Sequence, residues 1–210
     1  MKLYGYWRSS ASWRVRIGLA LKGVDVEHRS VHLVRDGGEQ HGSEHLARNP
    51  MRQVPVLELD DGRQLTQSLA ILEYLDEQYP EPRLLPADPY LRARTRALTE
   101  VVNSGIQPLQ NLAILQHLAR LNVDRMAWGR HYIHQGLLNL QTMAEHTAGR
   151  FLVGDDVSLA DIALVPQLYN ARRFAVPLEN LGLLLDIEAR CESLEAFQAA
   201  HADQQADANP

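Results

Sequence analysis

Residues 7–14, Trp7-Arg8-Ser9-Ser10-Ala11-Ser12-Trp13-Arg14 (WRSSASWR), mark where the chain changes from an extended to a helical pattern. Before them, KLYGYW at 2–7 is short, apolar and aromatic, which reads as a strand. After Ser12, the spacing of Val15, Leu19 and Gly23, and of Ile17, Ala20 and Leu21, follows a helical period. That helix is expected to stop at Lys22-Gly23, a basic last turn with glycine beyond it. Small hydroxyl residues at such a junction gather Ser9 Oγ and several amides over one spot. A thiolate placed there would be stabilised by O–H and N–H donors and by the helix dipole. Yet the octet holds no cysteine, no histidine and no acid.

Working outward, VEHRSVHL at 26–33 reads as a second strand, and residues 35–48 as an irregular or short helical excursion. VPVLEL and RQLTQ flank Asp60-Asp61-Gly62, a hairpin signature. SLAILEYLDEQY then reads as an amphipathic helix with Ser68 as its N-cap. The order is βαβ followed by ββα, which implies a small mixed sheet with helices packed on it. Four prolines in PEPRLLPADP, residues 80–89, mark an exposed, stiff connection. Beyond it the chain reads as helical throughout, over 90–120, 124–147, 158–172 and 181–200. The expected division is therefore 1–80, a linker at 81–89, and an all-helical domain at 90–210, with 201–210 frayed. Within the helical half, Ser158 and Asp161 have capping-box spacing flanked by the apolar pair Val157 and Ile162, a folding determinant. Pro108 should free the carbonyl of Ser104 and bend its helix.

Totals narrow the function. The chain has 210 residues, 45% apolar and 22% charged, with a net charge of −5, which argues against nucleic acid or an anionic membrane as main partner. No run is long enough to cross a bilayer, and the N-terminus lacks the apolar stretch of a signal peptide. One cysteine, Cys191, permits no internal disulfide and fits a reducing cytoplasm; it reads as a packed structural thiol. HGSEH at 41–45 matches a zinc-protease spacing, but Gly37, Gly38 and Gly42 weaken the helix it needs, so no metal site is assigned. His131 and His134 lack a third ligand.

Two further stretches carry chemistry. Val54-Pro55 stands at a strand entrance, where a cis bond would leave the Val54 backbone able to clasp an extended peptide; an ordinary trans proline is the alternative. The helix at Ser68 has Ile71 where a capping acid would be, so its free amides suit a carboxylate, with the Gln67 amide alongside.

Together RSSASWRVRIGLALKG, ARNPMRQVP, TQSLAILEYL, RLLPADP, SGIQPLQNL and SLADIALVPQLYNARRF resemble the zeta class of the glutathione transferase superfamily, over nearly the whole chain. The resemblance implies a thioredoxin-like N-terminal domain, an all-helical C-terminal domain, a cytoplasmic homodimer and glutathione as cofactor. The missing sulfur would then arrive on glutathione. The implied activity is cis–trans isomerisation of a maleyl keto acid, a small dicarboxylate, in aromatic-acid breakdown. Thiolate addition makes the double bond single, rotation follows, and elimination gives the trans isomer. Negative charge grows on an enolate, so arginine forks and amide donors should favour that transition state.

Carried over by position, Ser9 supports the thiolate, with Ser10 and Ala11 lending backbone donors. Val54, ahead of a cis Pro55, pairs with the cysteinyl backbone, and Gln67 and Ser68 hold the γ-glutamyl end. Gln40 adds a contact from the irregular segment. Gln107 and Asn111, one helical turn apart, reach in from the second domain. Arg8 and Arg173 are the candidates for substrate carboxylates, whereas Arg14 and Arg16 read as surface arginines.

Where the family pattern has Ser-Ser-Cys-x-Trp-Arg-Val-Arg-Ile-Ala-Leu, Ala11 stands for the cysteine and Gly18 for the alanine. The first change deletes a protein thiol and counts against thiol–disulfide chemistry; isomerisation needs only the borrowed sulfur. Conjugation or dehalogenation of α-halo acids is the alternative on the same fold. A transferase-like interaction module with a vestigial pocket is the alternative outside catalysis.

Overall fold

In the computed structural model, which describes residues 1–208, the chain forms two units: residues 1–84 with those from 194 onward, and Leu85–Ser193. Strands β1 (Lys2–Gly5), β2 (Glu27–Ser30), β3 (Val56–Glu58) and β4 (Gln64–Thr66) make one sheet in the order β2-β1-β3-β4. β2 runs parallel to β1 across helix α1 (Ser10–Leu21), while β3 is antiparallel to β1 and β4 to β3. α2 (Ser43–Arg48) follows two 3-10 turns after β2, and α3 (Ser68–Gln78) follows β4. This is the small mixed sheet that the order of elements implied, in the thioredoxin-like arrangement that the resemblance implied.

Alternation explains the core. Leu3 and Leu57 point from the sheet into a cluster with Val15 and Leu19 of α1 and Ile71 and Leu75 of α3. Burial of each such side chain stabilises by about 1.5–3 kcal/mol. α1 and α3 approach closely because Gly18 has no Cβ; one placed there would lie 2.2 Å from Leu72 Cδ2. α1 ends as expected: Gly23 takes a φ of 63°, and the Val24 N–H reaches back to the Leu19 carbonyl at 2.9 Å. Lys22 has a wholly buried side chain whose Nζ donates to Asp76 Oδ1 (2.7 Å) and to the carbonyls of Tyr79 and Pro82 (2.5 Å each), tying α1 to the segment after α3. β2 contributes only 27–30 of the longer run 26–33, and all four residues are exposed. Its charges discourage addition of another strand at that edge.

Three expectations are corrected here. The tail is ordered through 208: α9 (Glu195–Ala200) packs on α1, a 3-10 turn follows at Ala202–Gln204, and Ala202 is buried. Trp13 meets His201 edge-on, so an aromatic contact holds what composition alone made look frayed. Residues 209 and 210 of that stretch lie outside the described residues. The helical unit accordingly ends at Ser193 rather than at the C-terminus. The proline-rich connection is exposed at Pro80, Pro82 and Pro89 but not throughout, since Leu84 and Leu85 are buried. Finally, Arg14 and Arg16 are buried rather than on the surface, at 0% and 6% exposure.

The second unit contains α4 (Pro89–Glu100), α5 (Leu112–Arg120), α6 (Arg125–Ala144), α7 (Leu159–Arg173) and α8 (Gly182–Glu192). Pro108 does disturb its helix. The turn widens to a π-helical stretch at Val101–Ile106, where the Gln107 N–H bonds to the Val102 carbonyl, then tightens to 3-10 at Gln107–Gln110. α7 is the central element, buried along most of its length against α4 and α8. Its start is locked by Asp161, whose Oδ2 accepts from the Ser158 N–H and hydroxyl (2.8 Å each) and whose Oδ1 accepts from the Leu152 N–H (2.8 Å). Burial nevertheless pushes this carboxyl up to about 6.

Asp161→Asn replaces one acceptor oxygen by a donor, so a buried N–H must face another N–H. At about 1–3 kcal/mol for such a group, Tm should fall by roughly 5–10 °C in calorimetry. Because the folded carboxyl titrates near 6 against an ordinary 3.8, the unfolded chain loses this proton first as pH rises. The group's contribution is therefore greatest below pH 3.8, declines up to pH 6 and is flat above, and the variant should lack that slope. An unchanged Tm would remove Asp161 from this role.

Candidate active site

The sheet register decides which loops meet. Tyr4 pairs with Val56, and Val56 with Thr66. One step further, the end of β1, the entrance to β3 and the exit from β4 lie at the same edge. The loop 6–9, Val54-Pro55 and Gln67-Ser68 therefore converge. β2, parallel to β1, delivers the excursion containing Gln40 at this edge as well.

Ser9 is the N-cap of α1, and its Oγ accepts the Ser12 N–H at 3.2 Å. Since the hydroxyl oxygen is the acceptor in that bond, its proton remains free to be donated. Ser10 and Ala11 open the first turn, whose amides carry the positive end of the helix dipole. Arg8 is half-buried, its guanidinium carbon 5.1 Å from the Trp7 ring centroid.

The Val54–Pro55 bond is cis, and the β3 ladder begins only at Val56, leaving the Val54 backbone outside it. Val54 itself is held from behind. His45 Nε2 and Asn49 Nδ2 both bond the carbonyl of neighbouring Gln53, at 2.9 and 2.8 Å. The sequence reading passed over these two residues. The only signal is a polar residue within α2 and another at its C-cap, and the HGSEH spacing presents His45 as a metal-ligand candidate instead. It is buried and directed at Gln53, while His41 is exposed in the preceding 3-10 turn.

Ser68 is the first helical residue of α3 rather than its cap. Gln67 holds the cap position at a φ of 69°, and its side chain makes no capping bond; its Nε2 lies 3.5 Å from Met51 Sδ. Left-handed backbone at a non-glycine residue costs free energy and concentrates at functional sites. Arg52 (φ 57°) and Asp36 (φ 51°) share that conformation in neighbouring loops. The Ser68 hydroxyl is free of capping duty and accepts from Arg14 Nη1 at 3.5 Å. A wholly buried guanidinium thus stands behind the start of α3 and adds positive potential to its dipole. Arg16, two residues on, donates from Nη2 to the Trp7 carbonyl (2.8 Å) and from Nε to the Ala200 carbonyl (3.1 Å). Burial lowers its guanidinium to about 10, so it stays charged at neutral pH.

Gln40 is buried, with Nε2 bonded to the Leu33 carbonyl at 3.1 Å and Oε1 without a partner among the described residues. A buried orphan acceptor is expensive in a finished protein and suits a place where a ligand donates.

The other predicted residues belong to the second unit. Gln107 opens the 3-10 turn, and Asn111 is extended and caps α5, its Oδ1 accepting the Ala113 N–H at 2.9 Å. They are therefore not one turn apart on a continuous helix, because the Pro108 disturbance ends that helix between them. Arg173 is the exposed last residue of α7, with Nη1 on Asn170 Oδ1 at 3.0 Å. A buried amide pair, Gln110 Nε2 to Gln167 Oε1 at 2.6 Å, ties the 107–110 turn to α7. Cys191, the one cysteine, is wholly buried in α8, and desolvation together with nearby Asp161 raises its thiol far above the ordinary range. The protein has no thiol of its own to offer at the Ser9 loop.

Comparison with known proteins identifies the family. The family model described as "Glutathione S-transferase, N-terminal domain" matches residues 3–83. Maleylacetoacetate isomerase of Mus musculus is 48% identical over 205 residues, covering 98% of this chain and 94% of that protein. A holo maleyl pyruvate isomerase structure, described as a bacterial zeta-class enzyme, superposes with a TM-score of 0.95 at 40% identity and covers both chains fully. Maleylacetoacetate isomerase from Anaeromyxobacter dehalogenans 2CP-1, with dicarboxyethyl glutathione and citrate in its active site, gives 0.90 at 52% identity, covering 100% of this chain and 97% of that one. With such identity sustained from end to end, the chain belongs to the glutathione S-transferase family, in its zeta class.

Proposed function

We propose that this protein is a glutathione-dependent cis–trans isomerase of a maleyl keto acid, maleylacetoacetate or maleylpyruvate. The observation that carries the reading is the convergence of the Ser9 hydroxyl, the free Val54 backbone and the uncapped α3 N-terminus at one sheet edge that lacks any protein thiol. When bound, glutathione supplies the thiolate that adds to the substrate double bond and is expelled after rotation. The chain's own residues do the rest.

Ser9 donates its hydroxyl proton toward the sulfur, and the first-turn amides at Ser10 and Ala11 add their dipoles, which lowers the thiol pKa. Val54 offers strand-like backbone bonds to the cysteinyl unit, and Pro55 fixes the chain direction beside it. Gln67, Ser68 and the Arg14 charge behind them hold the γ-glutamyl carboxylate. Gln40 accepts from an N–H through its orphan oxygen. Gln107 and Asn111 are further glutathione contacts in this reading, Asn111 through its amide N–H since its oxygen caps α5. Arg8 and Arg173 take the substrate carboxylates and stabilise negative charge as it accumulates during addition.

In this reading the enzyme works in the cytoplasm, a compartment with which its single buried cysteine is compatible, and as a homodimer, as expected of the family; no described helix is long and apolar enough to cross a membrane.

Purified protein with glutathione should accelerate fumaryl product formation from at least one of the two acids, and turnover on both measured side by side selects the substrate. No acceleration with either would sink the assignment, and halide release from α-halo acids instead would point to the conjugating alternative. Ser9→Ala should lower kcat at neutral pH by about 10- to 100-fold, consistent with loss of one oriented donor, and recover at higher pH as the bound thiol ionises unaided. It should also cost about 1 kcal/mol in unfolding because α1 loses its cap. Arg173→Ala should reduce turnover with glutathione affinity retained in calorimetry; equal turnover would remove Arg173 from substrate binding. Asn49→Ala should raise the KM for glutathione by roughly 3- to 10-fold, since one of two bonds fixing Gln53 is lost.

A further inference from the structure

The C-terminal segment reaches back to the loop that opens the active site. Asp207 Oδ2 accepts the Trp7 backbone N–H at 3.2 Å and the Ser30 hydroxyl at 2.8 Å. The Trp7 carbonyl is taken by Arg16 Nη2 at 2.8 Å, and the same guanidinium holds the Ala200 carbonyl at the end of α9 through Nε at 3.1 Å. Both backbone polar groups of Trp7 are thereby fixed, one by the tail and one by an arginine that also grips the helix leading into the tail. Trp7 immediately precedes Arg8 and Ser9, and the Ser9 N–H closes the turn onto the Tyr6 carbonyl at 3.0 Å. Few apolar contacts hold the final turn: within 202–208 only Ala202 is buried. Hydrogen bonding at Asp207, rather than hydrophobic packing, anchors the end of the described chain.

We propose that Asp207 is a positioning residue of the active site, a latch that sets the direction in which the Arg8-Ser9-Ser10 loop presents its hydroxyl and amides to the thiol. The proposal rests on the isomerase reading above. Both donors converge on one oxygen of Asp207, and a single carbonyl oxygen satisfies them, so the latch needs an acceptor and not a charge. Asparagine at this place supplies that oxygen; alanine does not.

The test compares full-length wild type, Asp207→Ala and Asp207→Asn. Asp207→Ala should raise the glutathione KM, and the dissociation constant from calorimetry, by about 5-fold or more, a shift typical of one lost oriented hydrogen bond. Its kcat should fall by a smaller factor of about 2 to 3, because loop direction rather than the chemistry itself is affected. Asp207→Asn should restore both to within about 2-fold of wild type, as expected of a hydrogen-bond effect. Amide exchange over residues 6–10, measured without substrate, should quicken in Asp207→Ala and be normal in Asp207→Asn. Unchanged glutathione binding and exchange in Asp207→Ala would overturn the latch. An Asp207→Asn variant as impaired as Asp207→Ala would overturn the hydrogen-bond account in favour of charge pairing with Arg16. If wild type lacks isomerase activity, the functional reading fails by itself, and the exchange arm still decides the latch.

Discussion

Antiparallel pairing of β3 with both β1 and β4 is the constraint on which the rest depends. It makes β1 and β4 run in the same direction, so the helices that follow them, α1 and α3, begin at the same edge, and β3 enters from that edge too. Three segments far apart in sequence, at 6–11, 54–55 and 67–68, are gathered by that pairing. A one-residue slip of β3 would turn Leu57 out of the core and Val54 away from the edge together. Hydrophobic burial and ligand binding are thus enforced by one register, and selection for a well-packed core also preserves the site.

Electrostatics completes the picture. The chain carries a net charge of −5, yet glutathione presents carboxylates to it. The attraction is local: two helix N-termini converge, and two buried arginines stand directly behind them. Arg14 lies under the start of α3 and Arg16 under the loop before α1. Burying a guanidinium is costly unless its donors are satisfied. Arg16 meets this with two backbone carbonyls. Neither arginine touches solvent appreciably, so their field is little screened by salt.

Much of this was legible in the sequence, and the exceptions are instructive. The βαβ–ββα order, the α1 stop at Lys22-Gly23, the Asp161 clasp and the disturbance at Pro108 follow from local rules of turn, cap and period. Pro166 sits in the middle of α7 without ending it, because that helix is packed on nearly every side. Arg14 and Arg16 were misread because a charged residue on an amphipathic period is ordinarily solvated. Their burial follows from which elements cover α1, and α9 arrives from almost 200 positions away. The same non-local contact turned an apparently frayed tail into structure. Ser68 looked like a cap because local spacing could not foresee the left-handed Gln67. His45 and Asn49 act on a carbonyl, and backbone acceptors leave no mark in composition.

The placement of sulfur has a practical side. With alanine at position 11 and Cys191 sealed in α8, the folded enzyme has nothing with which a thiol cofactor could form a mixed disulfide. Oxidised cofactor can compete for the cleft but has no protein thiol there to trap, so exposure to peroxide or alkylating reagents leaves the native catalyst chemically untouched at cysteine. A thiol-reactive dye would then enter only as α8 comes apart, making its rate of uptake a clock for opening of the helical unit.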